Sequence, residues 1–233
     1  NGFVYTGGAG DGGTLYALSE STGALVWTQG VANGDNSMPA VTVDGVYVVY
    51  PCQAYDFSPA TGNSVWQYNG VCEGGGGWNA EVANGLLYEA GPTGGGGGFT
   101  GQTLNAESGA IVSSFVADNE PALGTTNGYF LQSGTLRGLQ LSNNTVLWSF
   151  AGDGQLVTSP ILVNNDVFVG SSSGNLYALN GTTGAQLWEV NVGASMLATG
   201  TGGIPLYGLS AGDGLLVVPA GNTVTAYLLS TDP

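Results

Sequence analysis

Apolar residues alternate with polar ones along this chain in short runs, and turn-forming pairs separate the runs. Ala40-Val41-Thr42-Val43 is followed by Asp44-Gly45 and then Val46-Tyr47-Val48-Val49; Ile161-Leu162-Val163 is followed by Asn164-Asn165-Asp166 and then Val167-Phe168-Val169. A period of two predicts strands with alternating faces, and Asp-Gly, Asn-Gly and Thr-Gly pairs tolerate the positive φ of tight hairpins. No segment keeps helical periodicity for more than a turn or so, so the chain is expected to be all-β.

The runs belong to a longer repeat. Gly174-Asn175-Leu176-Tyr177-Ala178-Leu179, Thr183-Gly184 and Trp188 match Gly13-Thr14-Leu15-Tyr16-Ala17-Leu18, Thr22-Gly23 and Trp27. The pattern returns at Ala54-Tyr55-Asp56-Phe57, Thr61-Gly62 and Trp66, and more weakly at Leu136-Arg137-Gly138-Leu139, Asn143-Asn144 and Trp148. Two decayed copies are Gln102-Thr103-Leu104 with Ser108-Gly109, where Ser113 stands in the Trp position, and Thr225-Ala226-Tyr227. Leu18, Phe57, Leu104, Leu139, Leu179 and Tyr227 are thus spaced by 39, 47, 35, 40 and 48 residues, a period near 42. Four short strands, A to D, per repeat of this length predict a β-propeller, with a β-helix or sandwich as weaker alternatives. The expected blades of this single domain cover residues 1–30, 37–70, 78–117, 120–151, 156–191 and 202–233.

The run Gly-Asn-Leu-Tyr-Ala-Leu-Asn, Thr-Gly, Leu-Trp at 174–188 resembles the repeat of the PQQ-binding-like, quinoprotein alcohol dehydrogenase-like, β-propellers. The resemblance covers most of the chain. It implies that Trp27, Trp66, Trp148 and Trp188 are tryptophan-docking residues packed between blades, with Phe115 a partial substitute on the strand that carries Ser113. Asn1 to Thr6 reads as a strand B and the chain stops just after a strand C, which leaves 22 strands and incomplete first and last blades. An imperfectly closed six-bladed ring, a larger ring with upstream sequence, and a strand supplied by a neighbouring subunit all accommodate that count. Beginning at Asn1 without a leader pattern, the chain reads as a processed form or a fragment.

Composition narrows the chemistry. Hydrophobic residues make up 42% and aromatics 10%, enough for a real core despite 43 Gly. No run approaches the ~18 uninterrupted apolar residues of a membrane-spanning helix. One Arg, 16 acidic residues and no His give a formal net charge of -15, which excludes a nucleic-acid partner and attraction to anionic lipid. Without His or Lys, catalysis has only carboxylates, hydroxyls, Tyr, Cys or a bound group to work with.

Dehydrogenase members of the resembled family hold pyrroloquinoline quinone and calcium with an aspartate base, an arginine and a disulfide between adjacent cysteines. Here Cys52 and Cys72 are twenty residues apart, Arg137 occupies the slot of Tyr16 and Tyr177, and the chain is far shorter, so no PQQ and no enzymatic activity are expected. Cys52 and Cys72 read as a disulfide of an oxidising compartment, with free thiols the alternative. Asp11, Asp44, Asp153, Asp166 and Asp213 sit beside Gly or Asn and read as turn caps. Glu81 and Glu89 lie inside apolar strands; a carboxylate on a strand A that faces the channel is a weak candidate for calcium or a polar ligand. The glycine runs 74–77 and 94–98 lack the Lys and helix of a phosphate cradle. Asn143-Asn144-Thr145 and Asn180-Gly181-Thr182 match glycosylation sequons by pattern alone.

The functional expectation is a secreted or periplasmic non-catalytic scaffold binding a protein or glycan through loops and blade edges. A propeller subunit of an outer-membrane barrel-assembly machinery, a homopolymeric cell-surface protein and a quinone- and calcium-dependent dehydrogenase fragment are the alternatives. With few ion pairs to lose, an acid habitat is also expected.

Overall fold

A computed structural model describes residues 2–8, 13–31, 38–50, 52–70, 79–89, 99–198 and 208–229. Asp11, Cys72 and both glycine runs lie outside them. Among the described residues there are 22 strands in six antiparallel sheets, each following chain order. The first sheet is β1 (Phe3–Gly8), β2 (Thr14–Ser19) and β3 (Leu25–Gly30). The second is β4 (Ala40–Val41), β5 (Val46–Tyr50), β6 (Gln53–Phe57) and β7 (Ser64–Asn69). β8 (Glu81–Ala83), β9 (Leu86–Glu89), β10 (Phe99–Asn105) and β11 (Ile111–Ala117) form the third. The fourth holds β12 (Ala122–Leu123), β13 (Asn127–Gln132), β14 (Thr135–Gln140) and β15 (Thr145–Phe150), and the fifth β16 (Ile161–Val163), β17 (Asp166–Gly170), β18 (Asn175–Asn180) and β19 (Gln186–Asn191). The sixth contains β20 (Ser210–Gly212), β21 (Leu215–Ala220) and β22 (Thr223–Leu228).

Each complete sheet is a propeller blade, as the period of the sequence predicts. The first sheet lacks a strand A and the sixth a strand D among the described residues, which matches the count of strands made from sequence. Residue contacts divide the chain into two compact units, one with the first three sheets up to Phe115 and one with the last three from Val116.

Burial follows strand position. Inner strands are packed on both faces, so β5 is buried at all five residues, whereas the outer β7 and β19 alternate between exposed and half-buried. In the first unit an apolar cluster joins Leu15, Ala17 and Trp27 of the first sheet to Val46, Val48 and Phe57 of the second. In the second unit Tyr129, Leu131 and Leu136 of the fourth sheet meet Val167, Val169 and Leu179 of the fifth.

The tryptophans cross these joints in a repeated way. Trp27 Nε1 donates to Pro59 O at 3.1 Å, Trp66 Nε1 to Ala106 O at 2.9 Å, and Trp148 Nε1 to Gly181 O at 2.9 Å, each acceptor lying on the next sheet. Three residues beyond each acceptor stands a glycine, Gly62, Gly109 or Gly184, with φ between 70° and 72°. A Cβ on Gly62, Gly109 or Gly184 would fall 2.6, 2.6 or 2.5 Å from the indole of Trp27, Trp66 or Trp148. The turn therefore demands glycine twice over, for its left-handed backbone and for the close approach of the ring. Cross-strand, the four tryptophans face Ala17, Asp56, Gly138 and Ala178, and the register slips just after each of these pairs. Trp188 packs beside Phe168 at 5.8 Å and Tyr227 at 6.4 Å. Phe115 lies at 5.3 Å from Tyr88 within its own sheet, over the bare backbone of Gly101.

Replacing Trp148 by Ala removes a ring and a cross-sheet hydrogen bond, and is expected to cost about 3 kcal/mol in a denaturant titration. A loss below about 1 kcal/mol would contradict the joint described here.

Candidate functional site

The carboxylates divide into those used by turns and those buried inside sheets. Asp118 accepts from the Ser133 and Gly134 N–H groups at 3.0 Å each, holding the β13–β14 hairpin. Asp153 accepts from Ser171 Oγ at 2.8 Å, Asn175 Nδ2 at 2.9 Å, the Gln155 N–H at 3.0 Å and Ser173 Oγ. Burial alone raises the Asp153 carboxyl, but those donors outweigh it and hold the group below the usual range. Asp213 has φ 51° in its turn. The Asp44-Gly45 turn is capped by Thr42, whose Oγ1 accepts from both N–H groups. Asn143 and Asn180 spend their side-chain oxygens on the N–H groups of Thr145, Thr182 and Thr183.

Glu81 and Glu89, the sequence candidates, are not brought together as a ligand set. Glu81 is half-buried on β8, opposite Tyr88, whereas Glu89 ends β9, a strand B, and is fully buried. Burial pushes the Glu89 carboxyl up to about 8; the N–H groups of Cys52, Gln102 and Gln53 pull the other way, yet neither oxygen closes a well-formed hydrogen bond. Its charge in turn raises the Tyr68 phenol, which burial already raises. No group of three or more His, Cys, Asp or Glu side chains arranged to hold a metal stands among the described residues.

Asp56, a residue of the repeat pattern, has a sharper role in the structure. It is 3% exposed on β6, opposite Trp66, in the slot filled by Ala17, Gly138 and Ala178 elsewhere. Burial pushes its carboxyl up to about 7, opposed by the N–H groups of Val46 and Phe57 and reinforced by the charge of Asp44. Its Oδ1 has no hydrogen-bond partner. The signal was present in the sequence as the one charged residue in a slot of small ones. Glu120 is also buried, and its Oε2 accepts from Ser159 Oγ at 2.7 Å.

Cys52 is bonded in a disulfide and adopts φ 64° between β5 and β6, while Cys72 lies outside the described residues. Arg137 sits on β14 between Phe130 of β13 and Ser149 of β15. The concave regions of the second unit include an open one of about 580 Å³ between residues 161–164 and 211–214, and two smaller ones. One of about 180 Å³ is lined by Thr158, Ser195, Leu209, Pro219 and Ala220. The other, of about 320 Å³, is lined by Phe168, Trp188, Tyr227 and Leu229 beside Asp166. Neither of these two gathers an acid–base pair, and the smaller is lined almost wholly by apolar and hydroxyl groups. No helix among the described residues is long and apolar enough to cross a membrane.

Sheets of this order with this tryptophan repeat define a PQQ-like β-propeller. The chain belongs to the family described as outer membrane protein assembly factor BamB, whose pattern matches residues 1–76 and 102–231. It is similar to the tetrathionate hydrolase of Acidithiobacillus ferrooxidans, 30% identical over 165 residues, 68% of this chain and 29% of that protein. A shorter match, 40% over 57 residues, joins 24% of this chain to 14% of the outer membrane protein assembly factor BamB of Shewanella oneidensis. The chain thus spans less than a third of each curated relative. Among solved structures, BamB from Moraxella catarrhalis superimposes with TM-score 0.64 at 17% identity, covering 97% of this chain and 70% of that one. The computationally designed Ika8 protein gives TM-score 0.74 at 16% identity over 98% and 68%. The quinohemoprotein alcohol dehydrogenase ADHIIG of Pseudomonas putida gives 0.68 at 14% over 94% and 49%. These three likenesses establish the fold alone.

The buried carboxyls set a pH dependence of definite sign. Near and below ~pH 4, Asp56 and Glu89 are protonated in both the folded and unfolded chain. Above it the unfolded chain releases protons that the folded chain keeps, so each group lowers the folded-to-unfolded ratio about tenfold per pH unit. The loss ends where the folded groups titrate, at about 7 and about 8. The denaturation midpoint is therefore expected to fall on going from about pH 5 to about pH 8. Steep unfolding on acidification from about pH 5 to about pH 3, with stability flat above, would contradict this.

Proposed function

We propose that this chain is a non-catalytic propeller scaffold, working outside the cytoplasm and binding a protein partner through its loops and outer strands. The observation that carries the reading is the family match across residues 1–76 and 102–231, a family described by a role in assembly. The chemistry of the described residues agrees with it: Asp118 and Asp153 accept from backbone N–H groups of turns, and Asp56 and Glu89 are enclosed within sheets. In this reading the tryptophans are the docking residues of the PQQ-like repeat. Cys52 pairs with Cys72 in an oxidising compartment. Neither quinone nor calcium is needed, and a glycan partner or self-association through blade edges remains within the same class.

A second reading rests on the 165-residue match to a tetrathionate hydrolase, an enzyme of which this chain covers 29%. A single purified sample separates the two. The scaffold reading expects one pair of hydrogens gained on reduction, no visible chromophore, no stoichiometric metal and no turnover of tetrathionate. Tetrathionate hydrolysis that is lost on substitution of a carboxylate would establish the hydrolase reading, and a bound quinone or calcium would establish a cofactor-dependent enzyme.

A further inference from the structure

The joint between the second and third sheets is built differently from its neighbours. At the joint of the first and second sheets the residues facing the tryptophan and filling the seam are apolar, with Ala17 opposite Trp27. At the next joint Asp56 stands opposite Trp66, and Glu89 reaches from β9 towards the N–H groups of Cys52 and Gln53 on the second sheet. Links across this seam among the described residues include the Trp66 hydrogen bond to Ala106 O and that of the Ala80 N–H to Met38 O at 3.2 Å. Asp56 is packed so closely on the A–B turn that a Cβ at Gly45 would overlap its Oδ1 and the Tyr47 ring.

We propose that this joint is a proton-operated latch: with Asp56 and Glu89 neutral the second and third sheets close on one another, and ionisation of either carboxyl opens the seam at the Cys52 hairpin and Trp66. The reason is the company these groups keep. Asp56 faces Tyr47 of β5 and Asp44 of the preceding turn, and Glu89 faces Tyr68 of β7. Glu81 of β8 pairs with Tyr88, the neighbour of Glu89, and Glu107 stands exposed in the turn that receives Trp66. Cys52 is disulfide-bonded and does not titrate, and β10 and β11 carry no titratable side chain. Every titratable group around the seam is thus neutral or negative. The chain has no Lys or His, and its one Arg, Arg137, lies on the fourth sheet. A carboxylate formed in the seam finds no counter-ion, so it must be hydrated, and water reaches it only when the sheets part. Glu120, by contrast, is buried with a hydroxyl donor on its Oε2.

Hydrogen exchange read by mass spectrometry tests the latch on the full chain. Wild type is compared at matched pH with Asp56→Asn and Glu89→Gln, so that the intrinsic pH dependence of exchange cancels in the ratio. Protection of β6, β7 and β9 in wild type is expected to fall by up to about tenfold per pH unit relative to each variant, between about pH 5 and about pH 7. Protection of β2, on the first sheet, should track between wild type and variants. Identical pH profiles in wild type and both variants would overturn the proposal, as would a loss spread evenly over all three sheets. Should a variant fail to fold, the infrared carbonyl band of protonated carboxyls in the wild type decides. It should persist at about pH 6, where the closed seam still holds its protons, and vanish as the pH passes about 7 to about 8; its absence at about pH 6 overturns the latch.

Discussion

An indole ring seated on a glycine turn of the next sheet is the contact on which this structure depends. A single antiparallel meander of four short strands cannot bury both faces alone. Trp27, Trp66 and Trp148 solve that problem by reaching over the edge of their own sheet, closing a hydrogen bond to a backbone carbonyl and covering a residue that has no side chain. The cost falls on the sequence of the next repeat, which must place glycine at positive φ three residues after the acceptor. This reciprocal demand explains why Thr-Gly and Trp recur together at fixed spacing. The slip in register beside each tryptophan is the local irregularity that accompanies it, and bulges of this kind re-aim side chains at sheet edges.

Charge shapes the rest. A chain with 16 acidic residues and a single Arg cannot neutralise buried carboxylates with ion pairs. Half-buried Asp118 accepts from backbone N–H groups and buried Glu120 from the Ser159 hydroxyl, whereas Asp56 and Glu89 are enclosed where they hold their protons. Such enclosure works best in acid. It makes the fold more tolerant of low pH than of high pH, opposite to a protein held by salt bridges.

Much of this was legible before any coordinates. The period near 42, the four strands per repeat and, among the described residues, the three-stranded first and last sheets followed from Leu18, Phe57, Leu104, Leu139, Leu179 and Tyr227 and from turn chemistry, because both are local. What could not be read was burial of particular polar groups. Glu89 looked like a candidate for a strand A facing a ligand, yet it lies on a strand B whose both faces are covered. Asp56 passed as a repeat residue, although its slot holds Ala or Gly in the other tryptophan repeats; a cross-strand pair is invisible until the register is known. Phe115 occupies a strand position two residues past Ser113, and its packing over Gly101 within its own sheet depends on that glycine rather than on the repeat pattern.

The central claim is that ring and glycine are two halves of one contact, and a double-mutant cycle between Trp148 and Gly184 tests it most directly. Gly184→Ala places a methyl where the Trp148 indole lies, so its cost should shrink by at least about 1 kcal/mol once Trp148 is already Ala, leaving only the strain of positive φ. Costs that simply add, with a coupling below about 0.3 kcal/mol, would show that the two residues stabilise the fold independently and would contradict this account.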